Sequence, residues 1–279
     1  MDQSLPPGLY IVATPIGNLG DMTSRAAATL NRVDYILAED KRVTAKLLAH
    51  IGAKAPMMAY HDHSDEILRQ RILGDLGSKA VALVSDAGTP LISDPGYKLV
   101  RAARMAGLAV HTLPGPSAVI AALTLAGLPT DRFLFLGFLP AKAKARADAI
   151  AELASVRASL VLYESGPRLA ESLAALLAGL GEREAAVVRE ISKLHEETVS
   201  GSLAQLAARY EEAPPKGEIV IVVGPSPERE TASDDELDDA LRAAMASMSP
   251  SRAAADVATR LGVPRKRAYA RALELGGSN

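Results

Sequence analysis

The most constraining feature of this chain is a repeated order: a short apolar run, a loop rich in glycine and proline, then a longer segment of helical periodicity. Apolar runs at Leu9–Ala13, Asp34–Ala38, Ala80–Ser85 and Ala109–Leu113 have the length of strands, and Thr23–Asn31, Asp65–Leu76 and Tyr97–Ala106 read as helices. In the last of these, Leu99, Val100 and Ala103 share one face while Lys98, Arg101 and Arg104 point away. Strands alternating with helices predict an α/β fold with mostly parallel strands, because each helix carries the chain back to the edge where the last strand began. A small-residue helix over Ser117–Ala126 is closed by Leu128-Pro129-Thr130, which marks a lobe boundary.

A second series follows, with strands near Phe133–Gly137, Leu160–Tyr163, Ala185–Arg189, Thr198–Ser200 and Ile219–Val223. Helices near Lys142–Leu153, Arg168–Leu177 and Leu203–Tyr210 fall among them. Gly224-Pro225-Ser226-Pro227 and the acidic run after it read as a linker. The expected organisation is an N-terminal α/β lobe over 1–128, a C-terminal α/β lobe over 129–226, and a small helical tail over 233–277. In the tail, a helix pattern over Asp234–Met248 stops at Ser249-Pro250, an N-cap serine and first-turn proline for the next helix. Gly262-Val263-Pro264 then turns the chain into a second helix bearing Lys266, Arg267 and Arg271, a helix-turn-helix outline.

Composition narrows the function classes. A chain of 279 residues with 48% hydrophobic and 23% charged residues is an ordinary folded protein of about two domains. It has no cysteine, which excludes disulfides, cysteine zinc sites, iron–sulfur clusters and a thiol nucleophile. The first residues carry neither a basic n-region nor an apolar core, and no apolar run approaches about 18 residues. A cytoplasmic protein with no membrane association is expected. The net charge of −2 argues against nucleic-acid binding over the whole surface, yet charge is uneven. Asp234, Asp235, Glu236, Asp238 and Asp239 are followed by Arg252, Arg260, Arg265, Lys266, Arg267 and Arg271.

The loops after the first-lobe strands carry the chemistry. They read Thr14-Pro15-Ile16-Gly17-Asn18-Leu19-Gly20-Asp21, Ser85-Asp86-Ala87-Gly88-Thr89-Pro90 running on to Ser93-Asp94-Pro95-Gly96, and Pro114-Gly115-Pro116-Ser117. In open parallel sheets, ligands sit outside the carboxyl ends of the strands. Glycine there admits a ligand to the backbone and proline stiffens the turn, so three such loops imply a small-molecule pocket. The first loop is not the dinucleotide fingerprint, and the chain has no Walker A sequence, which disfavours NAD and ATP. Asp86 with backbone amides suits a ligand bearing an amine and a carboxylate.

The strings Ala13–Asp21 (ATPIGNLGD), Ser85–Gly96 (SDAGTPLISDPG) and Leu113–Ala118 (LPGPSA) resemble the tetrapyrrole methylase superfamily. More narrowly they resemble its branch that methylates a cytidine 2′-hydroxyl of small-subunit 16S ribosomal RNA. Gly137-Phe138-Leu139-Pro140, Tyr163-Glu164-Ser165, Arg189-Glu190-Ile191-Ser192-Lys193 and Lys216-Gly217-Glu218 extend the match from about Gly8 to Gly224, and the helical tail resembles that branch's C-terminal extension. Two positions depart: Lys41 stands where the family usually has Thr, and Gly166-Pro167 where it usually has Pro-His.

The resemblance implies a two-lobed tetrapyrrole-methylase-like fold with S-adenosylmethionine in a cleft between the lobes. Carried over position by position, the cofactor residues are Pro15, Gly17, Asp86, Gly88, Thr89, Ile92, Gly115, Ser117, Ala118, Tyr163 and Gly217. The implied partners are small-subunit ribosomal RNA or the assembled 30S subunit, and a second copy in a homodimer.

Methyl transfer from a sulfonium needs mainly alignment of the acceptor, but a ribose hydroxyl is a poor nucleophile that a base or a nearby cation assists. Three polar segments offer such groups: Glu39-Asp40-Lys41-Arg42, Tyr60-His61-Asp62-His63, and Lys193-Leu194-His195-Glu196-Glu197. Asp40, Arg42 and Lys193 are the expected catalytic-site residues on the RNA side of the cleft. The basic residues from Lys142 to Arg146 read equally as a phosphate-contacting rim or as the exposed face of an amphipathic helix. No His, Asp and Glu spacing suggests a metal site. The rival readings are a methylase of small corrin or porphyrin precursors, which has no use for a basic tail, and a DNA-binding regulator, which leaves the loops unexplained.

Overall fold

The computed structural model describes residues 4–61, 66–226 and 233–276. Asp62 and His63, Pro227 of the expected linker and the last three residues lie outside them. Residues 1–226 form one compact unit and 227–279 a second.

The first sheet holds β1 (Gly8–Val12), β2 (Tyr35–Ala38), β3 (Met57–Ala59), β4 (Ala80–Val84) and β5 (Val110–Leu113), in the order β3-β2-β4-β1-β5. Every pairing in it is parallel. Alternate residues of each strand point to opposite faces, and both faces are covered. Tyr10, Val12, Ile36 and Ala82 pack with α1 (Ser24–Leu30) and α2 (Lys41–Ile51), through Ala26, Leu30 and Leu48. Leu9, Ile11, Leu37 and Leu83 pack with α3 (Glu66–Leu76) and α4 (Tyr97–Met105), through Ile72, Leu76, Leu99 and Ala103.

Two elements go beyond the sequence reading. Helix α2 begins in the charged segment that reads as a solvated loop. The Asp40 carboxylate caps it, accepting the Arg42 amide at 2.8 Å, and Gly52 ends it in a left-handed conformation at φ 69°. Strand β3 is three residues long, too short to show a period.

The second sheet holds β6 (Phe133–Phe138), β7 (Ser159–Ser165), β8 (Glu184–Arg189), β9 (Glu197–Ser202) and β10 (Glu218–Val223), in the order β6-β7-β10-β8-β9. Here the expectation of mostly parallel strands fails. Only β6 and β7 run parallel, and the other three pairings are antiparallel. The cause is burial: β7, β8 and β10 are covered on both faces, and a continuous apolar run carries no sign of direction. The short loop from Glu190 to Glu196 further permits β8 and β9 to pair as a hairpin.

One face of this sheet meets α6 (Ala143–Ala151), α7 (Leu169–Leu180) and α8 (Leu203–Glu212), through Ile150, Leu173, Leu206 and Tyr210. The other face is covered by α5 (Ala118–Ala126), which places Val119, Ala122, Leu123 and Ala126 on Val161, Val188 and Val220. Helix α5 leaves the first sheet at β5 and packs on the second, so it joins the two.

The tail is α9 (Asp234–Met245), α10 (Pro250–Leu261) and α11 (Arg265–Gly276) around Leu237, Leu241, Val257, Val263 and Ala268. Ser233 forms a capping box with Glu236, and Gly262 closes α10 at φ 66°. Arg271 donates to both carboxylate oxygens of buried Asp238 at 2.6 and 2.8 Å, and Arg267 pairs with Asp234 at 2.8 Å. Two cations that read as exposed are thus spent on α9. No helix among the described residues is long and apolar enough to cross a membrane.

Candidate active site

The order of the first sheet makes β1 and β4 neighbours, so the loops that leave their carboxyl ends leave side by side. They are bonded to each other: the Thr14 amide donates to Gly88 O at 2.9 Å and the Gly88 amide to Thr14 O at 3.1 Å. The Thr89 hydroxyl then donates to Pro116 O at 3.0 Å, tying in the loop after β5. Gly88 stands at φ 79°, which favours glycine at this crossing of loops.

Between these loops and the second sheet lies a cavity of about 360 Å³. Its first wall is backbone and small side chains: Ile16, Gly88, Thr89, Ile92, Ser117 and Ala118. Its second wall comes from the end of β7 (Tyr163, Glu164, Ser165), the start of β10 (Gly217 to Val220), Ile191 and Phe138. Seven of the eleven expected cofactor residues line it: Gly88, Thr89, Ile92, Ser117, Ala118, Tyr163 and Gly217. Gly115 lines an adjoining hollow with Asp21, Pro116 and Ser192. Pro15, Gly17 and Asp86 line neither. Asp86 instead accepts the backbone amide of Asp40 at 2.9 Å and so fixes the turn from β2 into α2.

The glycines are explained by what a side chain would strike. A Cβ on Gly217, at φ 101°, would stand 2.4 Å from the Glu190 carboxylate. A Cβ on Gly17 would stand 2.4 Å from Cγ of Lys193. A Cβ on Gly166 would lie 1.8 Å from the Pro215 carbonyl oxygen, so this departure from the family pattern lets the two backbones touch just before Lys216 and Gly217.

Of the expected catalytic-site residues, none lines the cavity. Lys193 is one step away: its ammonium donates to Glu218, which lines it, at 2.8 Å and to Glu190 at 3.0 Å. Burial works against the Lys193 charge, but the hydrogen bonds it donates to Glu218 and Glu190 outweigh it and raise the lysine above its ordinary value. Asp40 and Arg42 are bonded to each other, and the Arg42 guanidinium holds the Asp40 carboxyl at about 2. His61 is described, but with Asp62 and His63 outside the described residues this segment has no site geometry. Arg146, expected on a basic rim, is buried against Glu171.

Sequence reasoning passed over Asp94, Phe138, Glu164 and Glu218 as site residues, although each stands inside a motif already singled out. Burial raises Asp94 to about 6, helped by the charges of Glu39 and Asp86. Burial also raises Tyr163 to about 12, with Asp94 and Glu218 adding to it. The Tyr163 ring packs edge-on against Phe135, centroids 4.9 Å apart, and lies 5.6 Å from that of Phe138. Among the described residues, no group of three or more His, Cys, Asp or Glu is placed to hold a metal ion.

Residues 8–207 match the tetrapyrrole (corrin/porphyrin) methylases, and residues 231–276 match the RsmI C-terminal HTH domain. The chain is 57% identical to ribosomal RNA small subunit methyltransferase I of Erythrobacter litoralis, over 98% of this chain and 97% of that one. It is 45% identical to the protein of the same name from Escherichia coli O157:H7, over 96% of each. Among solved structures, uroporphyrin-III C-methyltransferase of Thermus thermophilus complexed with S-adenyl homocysteine has the same fold, with a TM-score of 0.53. It is 21% identical and covers 78% of this chain and 97% of that one. Cobalt precorrin-4 methyltransferase, CbiF, is 18% identical at a TM-score of 0.58, covering 77% and 94%. From the match over residues 8–207 and relatives that run nearly its whole length, the chain belongs to the tetrapyrrole methylase family, in the branch of ribosomal RNA small subunit methyltransferase I.

Proposed function

We propose that this protein transfers a methyl group from S-adenosylmethionine to ribosomal RNA of the small subunit, at the 2′-hydroxyl of a cytidine ribose. The observation that carries the reading is the tail. The solved small-molecule methylases resemble about three quarters of the chain, whereas the relatives named for ribosomal RNA extend through α9 to α11.

The cavity suits the cofactor. Gly88, Thr89, Ser117 and Ala118 offer backbone and hydroxyl groups on one wall, and the half-buried Tyr163 ring offers a flat apolar surface for an adenosine on the other. At Gly217 a side chain would strike Glu190 and narrow the same space. Pro15, Gly17, Gly115 and Asp86 hold the surrounding loops, and Ile92 lies at an exposed margin. When bound, S-adenosylmethionine supplies a methyl on a sulfonium that needs no further activation.

What the protein adds is alignment, exclusion of water and management of the acceptor's proton. Arg42 is 90% exposed but spends its charge on Asp40, and the Lys193 ammonium, held between Glu190 and the cavity-lining Glu218, fixes Glu218 at the cavity wall. A ribose hydroxyl reaches a methyl held between these loops and the second sheet only when its nucleotide is splayed from its stack, which favours unpaired RNA. The enzyme works in the cytoplasm as a homodimer, whose two copies together present more positive surface than one chain of charge −2.

The test is transfer of labelled methyl to small subunits lacking the modification, with mapping of the product. Label on a cytidine 2′-oxygen supports the reading. Cofactor binding without transfer to RNA overturns it in favour of a small-molecule acceptor.

A further inference from the structure

Three acidic residues, Asp94, Glu164 and Glu218, border the cavity, and two have carboxylates committed to other groups. Glu164 accepts the Ser165 amide at 2.8 Å and the Ser172 hydroxyl at 2.5 Å, with Arg168 at 3.6 Å. Glu218 is held by Lys193. Asp94 differs, because no lysine or arginine pairs with it among the described residues, and Ser85 is the polar side chain beside it. The groups that face it are Glu39 from the end of β2, Asp86 from the β4 loop and the Tyr163 phenol from β7. The Glu218–Lys193 pair stands on the opposite wall.

The turn that presents Asp94 is strained. Leu91 and Ser93 adopt φ of 75° and 64°, a region that side-chain-bearing residues seldom occupy, and such strain gathers at functional sites. Against this turn stands an irregularity in β6. The register with β7 shifts between Phe135 and Phe138, and Gly137 there has φ 66°. A Cβ on Gly137 would lie 3.1 Å from the Ser93 hydroxyl, so the bulge and the turn touch. The bulge re-aims Phe138 to the rim of the cavity, where 58% of it remains exposed. A large aromatic at a cavity's rim, next to an unpaired carboxylate, is poor packing in the free protein and good chemistry for a base with its ribose.

We propose that the Phe138–Asp94 side of the cavity is the acceptor-nucleoside subsite, with the Phe138 ring stacking on the splayed base and Asp94 accepting the proton of the ribose hydroxyl. The inference rests on the ribosomal RNA reading above and adds its residues. In balance, the O–H bond breaks and its proton passes to the Asp94 carboxylate, and an oxygen lone pair forms the O–CH₃ bond. The pair of the broken S–CH₃ bond stays on sulfur. Asp40 is unsuited to that role because its carboxylate is committed to Arg42 and to the cap of α2.

The test uses the full-length protein with small subunits lacking the modification, and measures cofactor affinity by calorimetry alongside kcat and KM for the subunits. F138L should raise KM about 10-fold or more, the size of a lost base–aromatic stack, with cofactor affinity unchanged and F138Y restoring it. D94N should lower kcat about 100-fold or more at unchanged cofactor affinity, and should remove the acid limb of the wild-type pH–rate profile. A loss of cofactor affinity in F138L with KM unchanged would place the ring on the cofactor and overturn the subsite. D94N within about 3-fold of wild type would overturn the proton assignment. A wild-type protein that binds cofactor but methylates no RNA fells the parent reading, and the subsite with it.

Discussion

The two sheets meet the cavity in different ways. The first presents loops after parallel strands, bonded to one another at Thr14, Gly88, Thr89 and Pro116, so that backbone makes much of its wall and Asp94 is, among the described residues, its one carboxylate at the cavity. The second presents side chains: Tyr163 and Glu218 project from antiparallel strands whose register holds each in place, while Glu164 between them turns its carboxylate to Ser172 on the far face. A wall made largely of backbone is intolerant at its glycines and, outside Asp94, tolerant elsewhere. A side-chain wall fails residue by residue.

The largest expected effect cuts across this contrast, because the second wall also depends on one missing side chain. Gly166→Ala should destabilise the protein by more than about 2 kcal/mol and weaken cofactor binding, since the new methyl meets the Pro215 carbonyl rather than a yielding side chain. Urea unfolding with parallel calorimetry checks it, and a wild-type-like G166A would show that the contact is soft. Next, Y163A should weaken cofactor binding about 10-fold while Y163F stays near wild type, since the ring and not the buried phenol forms the surface.

A smaller effect concerns pH. The Asp94 carboxyl is raised in the folded protein, so folding favours its protonated form and ionisation weakens the fold as pH rises from about 4 through about 6. D94N should therefore raise Tm by about 2–4 °C at pH 8 and by nothing below pH 4, as read from melting curves at the two values. The smallest effect lies outside both walls. R271A should loosen α9 and α11 by hydrogen exchange and leave protection in the two sheets unchanged, because the tail has its own core.

Where a strand was buried on both faces, its existence could be read from its apolar run but its direction could not. That is why the parallel first sheet matched expectation and the second did not. Helix α2 carried a signal in Leu47, Leu48 and the closing Gly52, but its start at Asp40 is set among charges that equally suit a loop. The cavity's loops were legible because glycine and proline mark backbone geometry directly. Asp94 and Phe138 were in view as letters of motifs, but their importance depends on partners. One lacks a counter-ion, and the other is turned outward by a bulge that no local pattern announces. Asp86 shows the reverse case, a carboxylate beside glycines that serves the Asp40 amide instead of the cavity.

The pairing of Arg267 and Arg271 with Asp234 and Asp238 limits the positive charge the tail can offer to any polyanion. Arg260 is likewise matched with Asp256, which leaves Arg252, Arg265 and Lys266 as the tail cations with no ion pair among the described residues. A phosphate contact displaces bound salt ions only where the protein brings a cation that is not already neutralised. The tail can therefore release about three counterions rather than six, a log–log salt slope of about −2 on single-stranded RNA. A tail whose charges are largely matched to one another offers little grip to a polyanion of any sequence.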